Sequence, residues 1–201
     1  MFFILFIFEM AVASMMFSLI GFEDDSHKFK DLFEQMPKFL IFLMAVIAAP
    51  FLEEFIFRGF LKYPLSIIGI IGLLLFGVIF FFKSNDYIDP ATTLGMLFAA
   101  VGIIGWLFKS EKIQDKIKTN FIKYFGVIFY ASVVIFAYVH IFNFNEIEYW
   151  YYTPILVLPQ FILALYLGYI RVRNNIWASI YIHALNNAIP MSIVLLFPEA
   201  I

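Results

Sequence analysis

Two adjacent carboxylates, Glu53 and Glu54, lie with Arg58 inside an otherwise apolar stretch of the chain. In hydrocarbon each such charge costs about 2.5–3.5 kcal/mol, so ionisable groups there usually mark a functional site. Glu54 and Arg58 are four residues apart, so they share a helix face and can form an ion pair. Glu53 points about 100° away, which leaves it free to face a cavity while Glu54 and Arg58 hold the helix turn in place. A purely structural ion-pair network is the alternative interpretation.

Two further segments supply imidazole groups. Phe136 and His140 are four residues apart, as are His183 and Asn187, so each pair shares one face of a helix. Taken singly, these residues are also typical of hydrogen bonds that only join helices. Counted at about 1.5 Å per residue from the helix ends proposed below, Glu53, both histidines and Asn187 lie about 12–24 Å deep. A shared depth in the middle of the membrane favours a common site.

The composition indicates that the surrounding solvent is lipid. Of 201 residues, 64% are hydrophobic, 14% are charged and 28 are phenylalanine, which is more apolar than a soluble core of this size requires. Apolar runs of about 20 residues, enough to cross about 30 Å of hydrocarbon, recur along the chain. We expect helices, because membrane segments must satisfy their own backbone groups and no barrel alternation is present. The absence of cysteine excludes disulfides, thiolate ligands and cysteine nucleophiles.

These runs predict an all-α fold, a polytopic membrane helix bundle that forms one domain over residues 1–201. About seven spans are expected, at 2–20, 38–63, 66–82, 91–108, 124–143, 154–171 and 175–197. A cleaved signal segment is the alternative for the first, although no Lys or Arg precedes Lys28. Segments 58–65, 109–123 and 171–175 carry nine of the 13 Lys and Arg residues. They share a side with the N-terminus, which is therefore predicted to be cytoplasmic.

The three motifs occur in a recognisable order on separate apolar segments. Glu53-Glu54-x-x-x-Arg58, Phe136-x-x-x-His140 and His183-x-x-x-Asn187 resemble the motifs of the CPBP family. These are CAAX-protease and bacteriocin-processing intramembrane endopeptidases related to the Rce1-type prenyl protease. The flanking residues 57–61 and 167–173 also agree with the family pattern. The resemblance covers a core of about residues 40–64 and 124–190, and it leaves the first helix and residues 65–123 without support.

The resemblance implies hydrolysis of a peptide bond within the membrane or at its edge. Glu53 is expected to be the general base that activates a water molecule. Glu54 and Arg58 would set its charge state and orientation.

The other two motifs would complete the catalytic set under this resemblance. His140 would assist the water, with Phe136 in a supporting position. His183 and Asn187 would donate hydrogen bonds to the developing oxyanion.

A metal-dependent mechanism would use the same residues differently. Glu53, Glu54, His140 and His183 include the one-carboxylate, two-imidazole set of catalytic zinc sites that keep a position for water. The His-Glu-x-x-His zinc signature is absent from the sequence. We expect metal-independent hydrolysis, with Zn²⁺ as the alternative.

A non-catalytic membrane protein is the competing hypothesis: a bacteriocin immunity factor, a scaffold or a proton-coupled transporter. The partners expected for a protease are a peptide or membrane-protein substrate and the lipid bilayer, with no nucleic acid. Candidate substrates are prenylated C-terminal peptides, leader peptides and transmembrane segments. Short loops and frequent Phe, Ile, Asn and Lys indicate a prokaryotic cell membrane.

Overall fold

A computed structural model describes residues 35–62, 109–143 and 150–196, together with the single residues 7, 11, 102 and 105. Every regular element in these ranges is helical, as the predicted all-α class requires. The elements are α1 (Lys38–Leu43), a π-helical segment (Met44–Ala48), α2 (Ala49–Arg58), α3 (Glu111–Lys123), α4 (Phe125–Val139), 3₁₀ turns at His140–Asn143 and Trp150–Tyr152, α5 (Thr153–Leu156), α6 (Leu158–Arg173) and α7 (Ile176–Leu196).

Two stretches among the described residues are long and apolar enough to cross a membrane, Lys38–Arg58 and Phe125–Asn143. They coincide with the predicted spans at 38–63 and 124–143. Both expose large apolar side chains, such as Phe39 at 71% and Val127 at 70%, which a bilayer would cover. The predicted spans at 2–20, 66–82 and 91–108 lie outside the described residues except for four single positions. The count of seven spans and the cytoplasmic N-terminus therefore stay predictions.

The predicted helix at 154–171 is divided into α5 and α6 at Val157, whose φ of −96° and ψ of 5° leave the helical region. Pro159 explains the break, because it has no N–H to donate and its ring would collide with the carbonyl of Ile155. Proline is well accommodated in the first turn of the new helix, where an N–H has no intrahelical partner. α6 therefore begins at Leu158.

The chain divides into two compact units, each described here by itself. One contains the described residues up to Phe51 and from Tyr130 onward, and the other runs from Leu52 to Phe129. The second unit contains the end of α2 and all of α3. α3 has no buried residue. The ring of Phe125 meets that of Phe121 edge-on, with the centroids 5.7 Å apart, and lies tilted to that of Phe129, with the centroids 6.0 Å apart.

In the first unit, the helix that leads towards Glu53 contains a π-helical segment just before Pro50. The ring of Pro50 would crowd the carbonyl of Val46 in a regular α-helix, and the wider π turn relieves that collision. Asn187 of α7 donates a hydrogen bond from Nδ2 to the carbonyl of Ala45 in this segment, at 2.9 Å. Buried apolar side chains pack beside this bond: Ile41, Val46 and Met191. α7 and the first helical stretch are thus joined by both polar and apolar contacts.

α6 and α7 form a hairpin in the same unit, connected by Asn174 and Asn175. Asn175 caps α7, because its Oδ1 accepts a hydrogen bond from the N–H of Ala178 at 2.9 Å. Farther along, the Oγ of the fully buried Ser179 donates to the carbonyl of Leu167 at 3.1 Å. Small polar residues let membrane helices approach closely and bond across the interface. This bond sets the register between the two helices.

Substituting Ser179 tests this packing. Ser179→Val is expected to lower the free energy of unfolding by about 1–3 kcal/mol, because the added volume has no space between α6 and α7. Ser179→Ala should cost about 0.5–1.5 kcal/mol for the lost hydrogen bond. Thermal unfolding of the full chain in detergent measures both changes. The matched controls are the same two substitutions at Ser110, which makes no side-chain capping bond at the start of α3. Equal stability of Ser179→Val and wild type would contradict the proposed register bond.

Candidate active site

The acidic motif occupies the last turns of α2. Glu54 and Arg58 are 0% and 2% exposed, and Nη1 of Arg58 donates to Oε1 of Glu54 in the i,i+4 ion pair expected from the sequence. Glu53, on the same helix, is only half-buried, and its charge also attracts Arg58. The two glutamates therefore differ: one is enclosed in an ion pair, and its neighbour is accessible.

The two imidazoles lie against one aromatic ring in the first unit. Phe136 is completely buried, with its ring centroid 4.6 Å from that of His140. The same ring meets His183 edge-on, at 5.9 Å and an interplanar angle of 67°. Edge-to-face contacts at these separations are favourable. The structure thus brings together three residues that the sequence motifs place on two different helices, α4 with its 3₁₀ extension and α7.

The orientation of the His140 ring follows from the end of α4. Nδ1 of His140 donates to the carbonyl of Phe136, four residues earlier in the chain, at 2.8 Å. Because a carbonyl can only accept, Nδ1 carries the proton. In the neutral ring, Nε2 is then the hydrogen-bond acceptor. A ring held in this tautomer can accept a hydrogen bond from water.

His183 and Asn187 lie one turn apart on α7. His183 is 2% exposed, and Asn187 is half-buried. The bond from Asn187 to the carbonyl of Ala45 is of the helix-joining kind that the sequence offered as the alternative to an oxyanion donor, although the sequence did not identify the partner. An amide nitrogen carries two N–H groups, and this bond uses one of them. Asn187 therefore has a structural role in joining helices, and its amide keeps a second N–H group that can donate.

The sequence offers four possible metal ligands: Glu53, Glu54, His140 and His183. Within residues 35–62, 109–143 and 150–196, no group of three or more His, Asp or Glu side chains has an arrangement that could hold a metal ion. Glu54 is also bound to Arg58.

The buried ion pair predicts a strong asymmetry between single and double substitutions. Arg58→Met should lower the free energy of unfolding by about 3–5 kcal/mol, because it leaves the carboxylate of Glu54 buried without its cation. The double variant Glu54→Leu/Arg58→Met should recover most of that loss. Thermal unfolding in detergent measures both, with Lys112→Met on the exposed face of α3 as the control. A double variant no more stable than Arg58→Met would contradict the pairing.

The comparison with protein families agrees with the motifs. The family model described as type II CAAX prenyl endopeptidase, Rce1-like, matches residues 35–189. The match contains all three motifs and runs through residues 65–123, which the motifs alone left without support. No curated protein and no solved structure matches the chain. The chain therefore belongs to the Rce1-like family of type II CAAX prenyl endopeptidases, which are membrane-embedded proteases.

Proposed function

We propose that this protease hydrolyses its peptide bond with a water molecule activated by Glu53. The observation that carries the proposal is the contrast between the two neighbouring glutamates. Glu54 is fully buried and bound to Arg58, so proton uptake by Glu54 would break a buried ion pair. Glu53 is half-buried, so it can reach water while the adjacent pair holds its helix turn. An accessible carboxylate in apolar surroundings suits a general base.

The proposed reaction needs only protein groups and water. Glu53 takes a proton from water while the water oxygen bonds to the carbonyl carbon of the peptide. The resulting tetrahedral oxyanion collapses, and the C–N bond breaks as Glu53 gives its proton to the leaving amine. General acid–base catalysis of this kind contributes about 10²–10⁴ in rate.

The residues of the other motifs would bind the water and the oxyanion. Nε2 of His140, the acceptor in the tautomer set by Phe136, would hold the attacking water. His183 and Asn187 would donate to the oxyanion, a contact whose loss costs about 10²–10³ in rate. The shared contact of both imidazoles with Phe136 and the family's motif order support these roles.

We propose a membrane-bound peptide as the substrate. The family description, a type II CAAX prenyl endopeptidase, makes a farnesylated peptide with a CAAX carboxyl terminus the first probe. A leader-type peptide without a prenyl group is the second. Cleavage of one probe but not the other would define the substrate class.

Glu53→Gln is expected to reduce kcat by at least about 10²-fold, because the amide cannot take the proton of the attacking water. The full chain in lipid vesicles is assayed with the two fluorogenic peptides, and thermal unfolding should show an unchanged midpoint. Glu111→Gln, an exposed position on α3, is the matched control and should cleave normally. A Glu53→Gln protein as active as wild type would contradict the proposal and would favour a non-catalytic role.

Removal of metal ions tests the zinc alternative. The full chain, exhaustively dialysed against a chelator and verified to be metal-free, is expected to retain its rate of peptide cleavage, because the proposed base and oxyanion donors are protein groups. Added Zn²⁺ should then give no increase. Loss of cleavage on chelation, with recovery on addition of Zn²⁺, would contradict the metal-independent mechanism.

A further inference from the structure

We infer that Gln160 of α6 is a substrate-binding residue whose side-chain oxygen accepts a hydrogen bond from a backbone N–H of the bound peptide. The inference rests on the proposed function, because it requires a peptide in the site. It adds a contact that neither the motifs nor the reaction described above includes.

The first observation is an unpaired acceptor. Oε1 of Gln160 is buried and has no hydrogen-bond partner in the part of the chain that the structure describes. An unsatisfied buried acceptor destabilises a protein by about 1–3 kcal/mol, and native proteins contain few of them. A peptide bound in an apolar site carries unpaired donors, because each of its N–H groups loses water and requires an acceptor.

The second observation is the level of Gln160 along the hairpin. The hydrogen bond from Ser179 to Leu167 fixes the register of α6 against α7. Gln160 lies seven residues before Leu167, and Asn186 lies seven residues after Ser179. The helices run in opposite directions from their short connection, so both positions are about 10 Å along the hairpin from that bond. Gln160 is therefore level with the His183–Asn187 motif, within about one residue of Asn187.

The third observation is the face of α6 that carries Gln160. Three buried residues lie three, four and seven positions after it, which places them on the same side of the helix: Leu163, Ala164 and Leu167. Leu167 is the residue whose carbonyl receives Ser179 of α7. Gln160 thus belongs to the packed side of α6, and its oxygen is held inside the unit that contains His183.

The sequence already contained a signal for this residue. Gln160 is an uncharged polar side chain within the apolar run at 154–171, where a polar group is rare and usually bonded.

Gln160→Met preserves the length of the side chain and removes the acceptor. We expect KM for the farnesylated probe peptide to rise about two- to tenfold, the effect of one neutral hydrogen bond, with little change in kcat. The thermal midpoint should stay equal or rise, since an unpaired buried acceptor has been removed. Gln114→Met on α3 makes the same chemical change outside the spans and should leave KM unaltered. A lower midpoint with unchanged KM would show a structural residue and would overturn the inference.

Methylation of the peptide backbone gives a second test that does not depend on the variant. A series of probe peptides carries one N-methyl group each, so that each lacks a single N–H donor. In wild type, one position should raise KM as much as Gln160→Met does, and in Gln160→Met that position should have no further effect. Independent effects of the two changes, or no sensitive position in wild type, would overturn the inference. An inactive Glu53→Gln beside these negative results would leave the proposed function intact.

Discussion

The buried ion pair between Glu54 and Arg58 is the interaction on which the rest of the acidic motif depends. A charge buried in hydrocarbon requires an opposite charge beside it. Glu54 and Arg58 meet this requirement for each other from adjacent turns of one helix. Their pairing permits a third ionisable group, Glu53, in the same short stretch. The pair thus explains why two glutamates are adjacent: one neutralises the arginine, and the other is left accessible.

The same constraint arranges the polar residues of the other unit. His140 donates to the carbonyl of Phe136, Asn187 to that of Ala45 and Ser179 to that of Leu167. Each bond satisfies a polar side chain in apolar surroundings, and each also fixes the position of a helix or ring. Oε1 of Gln160 differs from these groups, because it has no hydrogen-bond partner among the residues that the structure describes.

Sequence periodicity was sufficient for the parts of the structure that depend on one helix. The pairs Glu54–Arg58 and Phe136–His140 follow from four-residue spacing, and hydropathy located the spans Lys38–Arg58 and Phe125–Asn143. The individual bonding partners across helices were not predictable: the partner of Asn187 lies 142 residues away. The break at Val157 was missed for a local reason. The apolar run that predicted the helix is not interrupted by Pro159, whereas the helix itself is.

The division of labour between the two glutamates is tested most directly by chemical rescue. Glu53→Ala and Glu54→Ala proteins are assayed for peptide cleavage in lipid vesicles, with and without sodium formate, whose small carboxylate can replace a missing side-chain base. The account predicts that formate restores cleavage by Glu53→Ala and gives none in Glu54→Ala, where the fold itself has lost its ion pair. Rescue of Glu54→Ala, with no rescue of Glu53→Ala, would contradict the account.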